Sequence, residues 1–169
     1  MELTKFHELC NAYGLAQDNF EAYRVDCHLI AIEIVKELKA YYQVPDSQFS
    51  LYKINSNNEF VLVKPELIQA ITLREDHFWH FGIGLTVCKA PEALPEELIL
   101  IHLLFRKDAH GKYFIRHAYN NVEFEIVKNN SESYVPFLDA LFKTTIASYN
   151  NQLQQFIGEK TERKLGYVK

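Results

Sequence analysis

Between Glu97 and Val127 the apolar residues come in three short runs punctuated by turn-forming residues. Leu98 to Phe105 is apolar on both faces apart from His102, which predicts a central strand covered on both sides. Asp108-Ala109-His110-Gly111 and Asn120-Asn121 then separate two further runs, Lys112–Tyr119 and Val122–Val127. An Asn-Asn pair suits a two-residue hairpin turn. It would set Tyr119 against Val122, Ile115 against Ile126, and Arg116 against Glu125. Pairing Lys107 with Lys112 across the first turn would set Leu104 against Ile115 and His102 against His117.

Upstream the period lengthens to that of a helix. Leu3, Phe6, Leu9, Cys10 and Tyr13 share one helical face, and Gly14 reads as its C-cap. Asp18-Asn19-Phe20-Glu21 has the form of a capping box opening a second helix that runs to about Tyr41. Pro45-Asp46-Ser47 breaks it. Phe49–Ile54 and Phe60–Val63 read as a hairpin around an asparagine-rich turn, and Pro65 can open a short helical turn. After the apolar run Ile71–Leu73, the stretch His77–Cys88 alternates. Trp79, Phe81, Ile83 and Leu85 fall on one face; His80, Gly82 and Gly84 fall on the other. Ala90 to Pro95 reads as a loop. A final helix, capped near Ser131 or Ser133 with Pro136 in its first turn, carries an apolar stripe from Val135 to Phe156 and ends at Gly158.

This order predicts an α+β fold: an antiparallel sheet of about five to seven strands, with N-terminal helices and a long C-terminal helix packed mainly on one face. Residues 1–158 form one domain in this reading, and 159–169 a mobile or partner-dependent tail. The chain has 169 residues, 48% of them hydrophobic, enough for a substantial core. A net charge of −4 argues against a nucleic-acid partner, which needs a basic surface. Cys10, Cys27 and Cys88 are scattered, odd in number and without metal-ligand spacing, so they read as small hydrophobes in a reducing, cytoplasmic setting. No apolar run approaches the ~20 residues of a membrane span.

The chemistry-bearing candidates are few. His80, His102 and His117 can form a cluster if the strand register above holds, and two glycines on the face of His80 leave a shallow floor on which a ligand or a partner's backbone can rest. Trp79 and Phe81 would line the same region. No nucleophile elbow, dinucleotide loop or phosphate loop occurs. No catalytic residue, metal or cofactor is nominated. The function expected is a non-enzymatic protein-binding module of adaptor, chaperone or inhibitor type, acting as a dimer, in which a second copy or another protein partner covers the second face of the Leu98–Phe105 strand. The alternative is a small-molecule-binding protein or an enzyme of unrecognised type, with an aromatic and histidine-lined pocket between sheet and helices.

Overall fold

A single helix, α1 (Lys5–Tyr42), takes up 38 residues without a break. Thr4 caps it, its hydroxyl accepting from the His7 N–H, and Gln43 closes it in the left-handed conformation. The two helices expected from Gly14 and the box at Asp18 are therefore one. A helical glycine costs about 1 kcal/mol, whereas ending one helix and nucleating another forfeits several hydrogen bonds. The computed structural model describes residues 3–63, 67–90, 93–152, 157 and 166–168, the last three by backbone alone.

After a 3-10 turn at Asp46–Gln48 come strands β1 (Phe49–Ile54) and β2 (Phe60–Val63). One helical turn, α2 (Leu67–Ala70), leads to β3 (Thr72–Leu73), β4 (Trp79–Ala90) and β5 (Ala93–Lys107). β6 (Tyr113–His117), β7 (Phe124–Ile126), α3 (Val135–Asn150) and β8 (Gly166–Val168) complete the chain. The sheet is antiparallel in the order β2-β1-β4-β5-β6-β7, with β3 added to β4 and β8 to β5. β4 and β5 are longer than the sequence indicated. Of the residues read as a loop, Ala90 and Ala93 to Pro95 join the strands, and Leu94 and Pro95 fall where the ladder shifts between Cys88 and Ala90, a position that tolerates a strand proline. The expected stripe positions Leu153, Phe156 and Gly158 lie outside the described residues, as does the tail except for β8, whose backbone pairs with Leu98–Leu100.

The helices cover one face. Cys27, Ile30, Ile34 and Leu38 of α1, with Phe137, Leu138 and Leu141 of α3, bury Phe81, Ile83, Ile101, Leu103, Phe105 and Ile115 of the central strands. Trp79 stacks on Phe105 at 6.4 Å and donates its indole N–H to the Tyr23 hydroxyl at 3.2 Å. Tyr41 ties the far end of α1 to Asp139 on α3. The opposite sheet face is also closed at its centre, where His80, His102, Leu100 and Leu104 are all buried. The second-face cover expected from another subunit is thus not needed there.

Both hairpin registers differ from expectation. Lys107 pairs with Tyr113, so Leu104 faces Arg116 and Leu103 faces His117. The cause is the first turn. The Asp108 N–H donates to the Lys112 carbonyl, its carboxylate accepts from the N–H groups of His110 and Lys112, and Gly111 takes φ +80°. This is a longer hairpin loop with its glycine in the left-handed region, and it shifts β6 by one residue. In the second hairpin Ile115 faces Phe124, a two-residue slip that preserves the faces. The expected Arg116–Glu125 pair is replaced: Glu125 meets Lys112 at 3.3 Å, and Arg116 donates to Asn121 Oδ1 at 3.2 Å.

Candidate functional site

A one-residue shift exchanges the faces of a strand, and it separates the histidines. His80 and His102 share the face away from the helices, on neighbouring strands β4 and β5. His117 points to the helical side with Tyr113 and Ile115. The structure brings two of the three candidates together and sets the third across the sheet.

His80 and His102 are 4% and 5% exposed. The Asp76 carboxylate, in the turn between β3 and β4, is 2.8 Å from His80 Nε2, and His80 Nδ1 is 2.8 Å from His102 Nε2. Burial holds both imidazoles below their ordinary pKa, so both are neutral near pH 7. Proton directions then follow: His102 Nε2–H donates to His80 Nδ1, and His80 Nε2–H donates to Asp76. Partial burial raises the Asp76 pKa, but the bonds from the Phe78 N–H and His80 outweigh this and hold it below the usual carboxylate value. Asp76–His80–His102 is a relay in form. Among the described residues no hydroxyl or thiol is hydrogen-bonded to either imidazole, and the chain of protons pins the turn to two central strands. Sequence reading missed Asp76. The only signal was an aspartate at the head of a turn four residues before His80.

The floor at Gly82 and Gly84 is occupied. A Cβ on Gly82 would lie 2.7 Å from the Phe60 ring and 2.9 Å from Tyr52 Cβ, and the Tyr52 ring and Ser50 close over Gly84. The rings of Phe60 and His102 meet edge to face at 6.2 Å. β1 and β2 therefore curl over the glycines and supply from within the chain the backing that a ligand would have supplied. Beside this, Arg106 forks onto Glu123 at 2.7 and 2.8 Å and lies 4.6 Å over the Phe114 ring.

His117 lines a pocket between β6, β7 and α3 with Asn120, Val122, Phe124, Phe137, Leu141 and Thr144. Its Nε2 is buried without a hydrogen-bond partner, and burial pushes its pKa down to about 4. The free volume is about 40 Å3, enough for a few water molecules and not for a ring-sized ligand. Trp79 and Phe81, the remaining candidates, are core residues on the helical face. Among the described residues no group of three His, Cys, Asp or Glu side chains is gathered as metal ligands, and no helix is long and apolar enough to cross a membrane.

Elsewhere, on α1, the described residues leave an apolar surface uncovered. Among the described residues α1 is held to the sheet from Tyr23 onward, where Trp79 and Lys107 touch Tyr23 and Asp26. The turns before that overhang the body, and every side chain from Leu3 to Ala22 is exposed. Phe6, Tyr13 and Phe20, at seven-residue steps, continue the line of Cys27 and Ile34; Leu9, Ala16 and Tyr23 continue the line of Ile30. The stripe that seats the body of α1 on the sheet therefore runs on, bare, along the overhanging arm. Phe6 and Leu9 are each 70% exposed and Tyr13 68%. The stripe's two parts were legible in the sequence as the faces of two separate helices; their continuity and their lack of cover were not. Searches against protein-family models, curated proteins and solved structures return no match to this chain.

Proposed function

We propose that this chain is a non-enzymatic protein-binding module that works through the overhanging arm of α1, and that a second copy of the chain is what the arm binds. The observation that carries the reading is the seven-residue stripe of Phe6, Tyr13 and Phe20, exposed in line with the buried Cys27 and Ile34. Helices take most of their stability from packing of an apolar face, and the stripe along the arm is surface that water disfavours. The arm's large side chains offer on the order of 600 Å2 per chain, close to the ~800 Å2 per partner of a standard stable interface. The spacing is also that of a helix–helix seam, which one copy of the arm offers to another.

The test is the mass in solution. At micromolar concentration, sedimentation equilibrium should return about twice the 19.8 kDa chain mass. A Phe6→Lys, Tyr13→Lys double variant should sediment as the single chain with unchanged fluorescence from Trp79, the chain's one tryptophan and a buried residue of the body. A parent that stays monomeric at all concentrations contradicts the reading.

One observation favours the small-molecule alternative. An open groove of about 620 Å3 lies between the β1–β2 and β3–β4 turns, lined by Lys53, Asn55, Thr72, Arg74 and Asp76 among others. Its size is that of a ligand site. Against it, the Arg74 guanidinium is already committed to Asn58 Oδ1 and the carbonyls of Ile54 and Asn55.

A further inference from the structure

We infer that two arms pair antiparallel about a two-fold axis near Tyr13, so that the tip of each arm lies against the root of the other, where the partner subunit's sheet begins. The inference rests on the self-association proposed above and adds its geometry, for the following reason. The arm's apolar stripe lies on the same side of α1 as this chain's own sheet, because it continues the line of Cys27 and Ile34. Whatever packs on the stripe is therefore stacked end to end with that sheet. The sheet's near end is fixed at Tyr23 by the Trp79 indole and at Asp26 by the Lys107 ammonium, 3.0 Å from the carboxylate.

A partner helix running parallel would carry its own body into this space, since its residues beyond Tyr23 would be level with this chain's sheet and on the same side. A partner running antiparallel presents only its tip there, and its body lies beyond the far end of the arm. Antiparallel pairing is also isologous and closes at two copies, with Phe6 of each chain nearing Phe20 of the partner subunit. At ~1.5 Å rise per residue the overhang of about 27 Å sets the gap that the paired arms bridge between the two bodies. The dimer is thus elongated, with its contact area confined to the arms.

The geometry is read by a distance between subunits. Lys5, whose side chain is 95% exposed, is replaced by cysteine in a Cys10→Ser background and spin-labelled. In the antiparallel pair the two labels sit on opposite sides of the axis, about 24 Å apart along the helices and about 26 Å overall across the helix–helix distance. In a parallel pair they face each other across a helix–helix distance of about 10 Å. A dimeric mass with a distance near the first value supports the inference. A dimeric mass with labels closer than about 15 Å overturns the antiparallel geometry and leaves the self-association reading standing. A monomeric mass with no inter-subunit distance overturns both. The background variant without Lys5→Cys, carried through the mass measurement, shows whether losing Cys10 has itself weakened the pair.

Discussion

At the scale of single residues, the buried histidines show how one side chain is made tolerable in two ways. His80 and His102 use their donors and acceptors on each other and on Asp76, so their burial leaves the shared protons satisfied. His117 has no such partner at Nε2 and sits against Phe124, Phe137 and Leu141. An unpaired buried nitrogen costs about 1–3 kcal/mol, so His117→Leu should leave stability at pH 7 unchanged or slightly raised. The pH dependence has a definite sign. The folded pKa of His117 is about 4, below the unfolded value of ~6.5, so below pH 6.5 the unfolded chain takes up a proton that the folded chain refuses. Stability present above that pH is lost as pH falls towards 4, at up to ~1.4 kcal/mol per pH unit from this group. Urea melts of the parent and His117→Leu between pH 7 and 4 should therefore diverge as pH falls, the parent losing stability more steeply than the variant. Parallel lines would mean that His117 is protonated freely in the folded protein. His80 and His102 shift in the same direction and remain in both proteins, so some acid sensitivity should survive in the variant.

At the scale of elements, strand existence and the first hairpin were legible, while the registers of the two later hairpins were not. Alternation in His77–Cys88 put Trp79, Phe81, Ile83 and Leu85 on one face, and all four are buried on the helical side. Nothing in the apolar pattern of Lys112–Tyr119 counts the residues of the turn before it. Asp108 and Gly111 lengthen that turn by side-chain and left-handed backbone geometry, and a single residue of slip moved His117 through the sheet. Gly14 erred for the opposite reason: a local stop signal was read without weighing what a stop costs, and the helix simply continues. The two strand glycines were recognised as a gap, but which body fills it is a tertiary fact. Phe60 and Tyr52 arrive from β2 and β1. Gly82→Ala should consequently destabilise the protein by about 1–3 kcal/mol through overpacking. The loss should shrink in a Phe60→Leu background, because the two positions share one volume. Additive losses in that double-mutant cycle would show that the Phe60 ring is not what fills the space above Gly82.

At the scale of the whole molecule, the body and the arm of α1 answer to different constraints. From Tyr23 to Tyr42 the helix is held by the sheet and by α3. From Lys5 to Ala22 it has the same apolar stripe, and among the described residues nothing of its own chain covers it. The sequence favoured a second copy because Leu98–Phe105 looked too apolar to be covered. The structure buries that strand within the chain and leaves the unsatisfied surface on the arm instead. Amide hydrogen exchange along α1, followed as a function of protein concentration, tests the account most directly, because it reports cover residue by residue. If arms pair, amides from about Leu9 to Ala22 should be protected at high concentration and lose that protection on dilution, while those from Cys27 to Leu38 stay protected throughout. Arm amides that exchange at the rate of an unsupported helix at every concentration would contradict it.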